Sequence, residues 1–150
     1  MVGLSLIDFL DETLAFAPFV YHLGAQLVVE LREPTLRVTM LPRDTNAHGT
    51  IFGGVILSHI DLAGGIEASR QASRNFVTRA MREVGFIAPV YVGDVVSFYT
   101  RVLREGQTSV TIQVLVEAER SGEPRRQVKV TEAEVVYVAV NEDGNPTPIR

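Results

Sequence analysis

At 150 residues, with 46% hydrophobic and 21% charged side chains, the chain is large enough for one well-filled core and too short for a second domain of ordinary size. Its formal net charge of −4 excludes a general nucleic-acid binder, which needs a broad positive field to neutralise phosphates. With no cysteine there is no disulfide, thiolate nucleophile or cysteine-ligated metal site, and the chain suits a reducing cytoplasm.

The first segment, MVGLSLIDFLDETLAFAPFVYHLGA, is apolar but does not read as a leader or a membrane span. No basic residue precedes the apolar run, and Asp8, Asp11 and Glu12 interrupt it. Leu4, Ile7, Leu10 and Leu14 recur at helical spacing. They predict a short amphipathic helix within an extension over residues 1–30, docked on the domain or on a neighbouring subunit. A membrane-surface role would want cations that this segment lacks. Residues 31–150 form the domain proper.

Residues 35–41, TLRVTML, alternate Leu36, Val38 and Met40 with Arg37 and Thr39, as a half-buried strand does. The loop PRDTNAHGT follows. From residue 52 to about 73 the chain has no proline and is rich in Ala, Ile and Leu, which predicts a helix buried on most sides. Beyond it the pattern turns to β segments near residues 76–87, 95–104, 108–119 and 127–140. Short connections (PVYVGD, REGQ and ERSGEPRR) predict antiparallel neighbours. The class is α+β: one long helix wrapped by a curved antiparallel sheet.

Asp61 stands between Ile60 and Leu62 in the least polar part of this helix, with Leu57, Ser58, Gly64 and Gly65 three and four residues away. A carboxylate buried there must be hydrogen-bonded, protonated or open to a ligand cavity. Each helix-interior glycine costs roughly 1 kcal/mol relative to alanine. The pair therefore needs a reason, either close packing against another element or room for a substrate beside Asp61. Glu67 opens the polar end of the helix and is expected to be solvated, and His59 reads as a helix-surface histidine.

Gly53 and Gly54 open the helix, where the first amides have no intrahelical acceptor and the dipole is positive. That suits a carbonyl oxygen acquiring negative charge, with Asn46 and His48 in the loop just before. Seven residues separate Gly54 from Asp61, about 10 Å along a helix axis. One chain's amide and its own carboxylate cannot easily grip the same carbonyl carbon. If both act on one thioester-sized group they come from different chains, which implies a two-fold homodimer with interface sites.

The residues LPRDTNAHGTIFGGVILSHIDLAGGIEA, GFIAPVYVGDVV and VTEAEVVYVAV resemble the hotdog-fold acyl-CoA thioesterases, in particular the YciA-like group of short bacterial enzymes. The resemblance spans roughly residues 36–149 and is most specific in NxxGxxFGG with an Asp seven residues beyond its last glycine. It implies a hotdog fold, subunits that join their sheets, and acyl-CoA bound at the dimer interface, with further assembly to a tetramer or hexamer. Position by position it implies Asp61 and Asn46 as catalytic residues. It implies a substrate-binding surface of His48, Gly49, Phe52, Gly53, Gly54 and Ser58. Residues 1–30 fall outside it.

The activity so implied is hydrolysis of fatty or short-chain acyl-CoA to the free acid and CoA, without metal or cofactor. Asp61 would act as general base or as nucleophile through a mixed anhydride, and Asn46 of the opposing chain would orient the water or thioester. The CoA phosphates need cations, and Arg125, Arg126 and Lys129 form the densest cluster, although a charged turn also arises simply by facing solvent. Two other readings stand beside this one. A hotdog dehydratase would need a histidine paired with a carboxylate, for which His48 and His59 are available. A non-catalytic acyl-CoA-binding regulator would need a DNA-binding module that the first 30 residues, with little positive charge, do not supply.

Overall fold

The computed structural model describes residues 20–23, 26–29, 32–122 and 126–150. The chain divides into two compact units between Glu33 and Pro34. In the first, β1 (Val20–Leu23) and β2 (Gln26–Val29) pair antiparallel, so a helical reading does not extend to these residues. The helix expected on Leu4, Ile7, Leu10 and Leu14 lies outside the described residues, as does Arg125.

The second unit runs β3 (Leu36–Thr39), a 3-10 turn (Pro42–Asp44), helix α1 (Gly53–Gln71), then β4 (Asn75–Arg82), β5 (Val95–Glu105), β6 (Ser109–Arg120) and β7 (Arg126–Val140). Its five antiparallel strands form one curled sheet in the order β3-β5-β6-β7-β4, with α1 packed against it. Strand β6 shows why: Val110, Ile112, Val114, Val116 and Ala118 all face the core, as their period of two requires. Ile56, Ile60, Ala63, Gly64 and Ala68 form the buried stripe of α1 that meets them, at helical spacing. Burying an isoleucine such as Ile60 contributes roughly 1.5–3 kcal/mol, so this stripe fixes which way the helix faces.

Four expectations need correction. β4 ends at Arg82 and is not a neighbour of β5; it lies at the far edge of the sheet beside β7. The connection after it is no tight turn, for it runs on alongside β7, where the Ile87 amide donates to the Val130 carbonyl (2.8 Å) and the Thr131 hydroxyl to the Gly85 carbonyl (2.8 Å). Nor is α1 covered on most sides, because the sheet covers only one: Leu62 is 57% and Ile66 40% exposed. Glu67, expected in solvent, is half-buried, accepting from Gln71 (2.9 Å), Arg70 (3.0 Å) and Thr100 (3.2 Å).

The two helix glycines separate physically. A Cβ on Gly64 would collide with the Tyr137 side chain, whose Cε2 and Cζ atoms would each lie 2.9 Å away, so the glycine there admits the phenol. A Cβ on Gly65 would meet only Tyr137 Cε1, at an ordinary 3.8 Å. Gly64→Ala should therefore destabilise by about 1–3 kcal/mol despite its better helix propensity. Gly65→Ala should be neutral or stabilising by up to about 1 kcal/mol, urea denaturation of both variants being the check.

Candidate active site

The loop before α1 is shaped by Asn46. Its Oδ1 accepts from the His48 amide (2.8 Å) and the Thr50 amide (3.3 Å), while Nδ2 donates to the Thr50 hydroxyl (2.8 Å). An asparagine does this because its short side chain can mimic a backbone turn. Gly49 completes the turn at φ +79°, a left-handed conformation that favours glycine. His48 is thereby exposed at the tip.

Phe52 precedes α1 and contributes no side-chain cap, so the first-turn amides of Gly53 and Gly54 gain no capping partner from it. Two aromatic rings flank those glycines. Phe86 Cζ lies 3.4 Å from where a Gly53 Cβ would stand, and the Phe52 ring occupies the corresponding space at Gly54. Beside Gly53 opens a cleft of about 350 Å³, lined by Thr50, Ile51 and Ile56 on one side and by residues 86–90 on the other. It is apolar and near the lower end of ligand-pocket sizes.

Its second wall is clamped from behind. Asp94, 2% exposed, pairs with the Arg120 guanidinium and accepts from the Tyr91 amide (2.9 Å). Arg120 also donates to the Pro89 carbonyl (2.6 Å) and lies over the Tyr91 ring, 4.9 Å from its centre. The GD of the PVYVGD turn thus ties Pro89–Tyr91 to the end of β6.

Asp61 sits two turns further along α1, half-buried rather than sealed in. Of the three possibilities for its carboxylate the structure shows hydrogen bonding: the Thr78 hydroxyl donates to Oδ1 at 2.5 Å. Thr78 lies at the β-bulge between Thr78 and Ala80, where β4 shifts register against β7. Bulges commonly re-aim a side chain in this way. The Tyr137 hydroxyl donates to the Asp61 backbone carbonyl (2.8 Å) and stands 3.5 Å from Oδ1. Burial, and then the charge and hydrogen bond of Asp61, push the Tyr137 hydroxyl well above its ordinary pKa, so it stays protonated as a donor.

Of the residues expected in the site, Gly53 lines the cleft and Gly54, Phe52, Asn46, His48 and Gly49 border its loop, whereas Asp61 is not among the lining residues. Ser58 is exposed, and its hydroxyl donates back to the Val55 carbonyl (2.7 Å). Arg126 is exposed at the start of β7, its Cα paired with that of Arg120. Lys129 is paired with Glu132 at 2.7 Å, both side chains partly exposed. His59 bonds the Val55 carbonyl through Nδ1 (2.7 Å) and stacks on Phe98, and among the described residues neither it nor His48 pairs with a carboxylate. Thr78 and Tyr137 escaped the sequence reading. A threonine in a strand is unremarked, but a phenol on the buried face of β7 signals a partner it must reach.

One helix packed on a curled five-stranded antiparallel sheet, with the elements in this order, defines a hotdog fold. The chain belongs to the thioesterase superfamily, whose family pattern matches residues 48–124, and it is a thioester hydrolase. It is 43% identical over 119 residues to the acyl-CoA thioester hydrolase YciA of Salmonella typhimurium, covering 78% of this chain and 90% of that protein. Among solved structures it resembles Cj0915, a hexameric hotdog fold thioesterase of Campylobacter jejuni, at 43% identity and a TM-score of 0.75, with 79% and 90% of the two chains covered. It also resembles the hexameric thioesterase y2039 from Yersinia pestis, at 39% identity and a TM-score of 0.74, with 79% and 96% covered. No helix among the described residues is long and apolar enough to cross a membrane.

Removing one partner of a buried ion pair costs about 3–5 kcal/mol, and Arg120 is 20% exposed, so Asp94→Ala should fall near the lower end of that range. Thermal or urea denaturation measures it. Proteolysis should cut first within residues 86–93 of the variant, because the clamp on that wall is gone.

Proposed function

We propose that the protein hydrolyses fatty or short-chain acyl-CoA to the free acid and CoA, with Asp61 acting on the thioester from one subunit and the Gly53 and Gly54 amides from the other. The single observation that carries this reading is the separation of the two parts within one chain. Gly53, at the start of α1 where no side chain caps the helix, lines the cleft, while Asp61 lies two turns away beside β4 and does not line it. A two-fold partner brings the second half of each site.

The surface for that partner has physical support. β4 is a sheet edge, and an unpaired edge is a template for another strand. Val77 on it is 48% exposed, next to Thr78, and Leu62 and Ile66 of α1 are exposed as well. Joining two such edges covers apolar groups that a monomer would leave in water. The dimers assemble further, to a tetramer or to a hexamer like those of Cj0915 and y2039.

In the reaction the Thr78 hydroxyl engages Asp61 Oδ1, leaving Oδ2 for the substrate side. As general base, that oxygen takes a proton from water while the hydroxide adds to the thioester carbonyl, and the tetrahedral intermediate then collapses, expelling CoA thiolate, which takes up the proton. As nucleophile, it adds directly, expelling CoA thiolate and leaving a mixed anhydride for water to cleave. In both cases the oxyanion is stabilised by the helix N-terminal amides. Asn46 serves by holding the loop that carries His48 and Gly49, with its own polar atoms largely committed to that loop. The chemistry needs neither metal nor organic cofactor. Arg126, with Arg125, takes a CoA phosphate, and a chain without cysteine suits a cytoplasmic location.

Asp61→Asn should fold, assemble and lose about two to three orders of magnitude in thiol release from acyl-CoA, whereas Asn46→Ala should lose less. The two variants, mixed under conditions that exchange subunits, should regain activity up to about half the wild-type value per heterodimer, because one site then carries both defects and the other none. Verified exchange without recovery would place the whole site in one chain. Arg126→Ala should weaken CoA binding more than it slows a thioester lacking the nucleotide, with CoA affinity falling as salt rises. Equal effects on both substrates would move the phosphate site elsewhere.

A further inference from the structure

Tyr137 is among the largest buried side chains, and its hydroxyl is spent on the residue that carries the carboxylate. The Asp61 carbonyl needs no such donor, since a mid-helix carbonyl already accepts from the amide four residues on. A phenylalanine would fill the same space without a polar atom to satisfy. The arrangement also requires Gly64, a residue that weakens the helix by roughly 1 kcal/mol. Two features that are poor choices for stability thus meet at one place, one residue turn from Asp61. Thr78 closes the group from β4, donating to the same Oδ1 that the phenol faces at 3.5 Å.

We infer that Tyr137 is a positioning residue for thioester hydrolysis: it pins the turn of α1 that bears Asp61 and, with Thr78, holds Oδ1 so that Oδ2 is presented to the reaction. Gly64 is the complementary half of the device, because any side chain there would push the hydroxyl off Asp61. The inference rests on the reading of Asp61 as the group that acts on water or the thioester. Displacement of a reacting group by about 1 Å can lower a rate 100-fold, which sets the scale of what pinning can contribute.

The test is Tyr137→Phe, made in the wild-type and in the Asp61→Asn backgrounds and assayed with butyryl-CoA. In the wild-type background kcat should fall about 10- to 100-fold with KM changed less than about threefold. In the Asp61→Asn background the same substitution should change the residual rate less than about twofold, since the group it acts through is gone. An unchanged kcat, or an equal fold-loss in both backgrounds, overturns the inference, the latter by showing a merely structural role. Should Tyr137→Phe fail to assemble, Gly64→Ala keeps the phenol but displaces it, and the same selective loss of kcat is expected. Near-normal turnover by Asp61→Asn would instead overturn the reading of Asp61 itself, a result distinct from an inactive Asp61→Asn beside a fully active Tyr137→Phe.

Discussion

One close contact between the helix and the sheet depends on a missing side chain. At Gly64 the helix backbone lets the Tyr137 ring against it, and the hydroxyl then reaches the Asp61 carbonyl at 2.8 Å. Everything on that side follows from the distance so fixed. Ile56, Ile60, Ala63 and Ala68 fall into register with the buried faces of β5, β6 and β7, and Asp61 comes within reach of Thr78 at the edge strand. Packing of this density leaves little freedom, so a carboxylate on this helix inherits its position from the core beneath it.

The opposite constraint shapes the other half of the proposed site. Where α1 begins, Phe52 offers no capping atom, and the loop uses its best hydrogen-bonding residue, Asn46, on itself. A helix started without a side-chain cap is weaker by about 1 kcal/mol, and Gly53 in its first turn lines an apolar cleft whose other wall is tied to the Asp94–Arg120 pair through Pro89 and Tyr91. The two halves are thus built on different supports within one chain, and the exposed edge of β4 with Val77, Leu62 and Ile66 is where a second chain fits the proposed function.

The helix and the meander of β5, β6 and β7 were legible because each carries a clean period. Proline-free Ala, Ile and Leu run from 53 to 71, and strict alternation runs through Val110 to Ala118. What was not legible is non-local. Nothing in GFIAPVYVGD says that the segment runs on beside β7 instead of turning straight back beside β4. Leu62 and Ile66 look like core residues to any reading of apolar character, although one chain alone leaves them in water. Asp61 stood out as a charge in an apolar run. Its partner Thr78 did not, because a bulge that shifts the pairing between Thr78 and Ala80 leaves no mark in composition. Arg126 and Lys129 looked alike as cations, and only the contact with Glu132 separates them.

The strand order also bears on how the chain finds this arrangement. β5, β6 and β7 are joined by short turns and pair with their neighbours in sequence, so their ladders close small loops. Both outer strands are different: β3 joins Leu36 to Phe98, and β4 joins Asn75 to Val140, each across a stretch that includes other elements. Closure entropy grows with the logarithm of loop length and must be met before distant contacts return anything. The meander is therefore the part of the sheet with the cheapest nucleus, and the helix and outer strands condense on it. Thr78 belongs to one of those late-closing strands, so the carboxylate of Asp61 acquires its hydrogen-bond donor only when the chain has completed its most entropically demanding contacts.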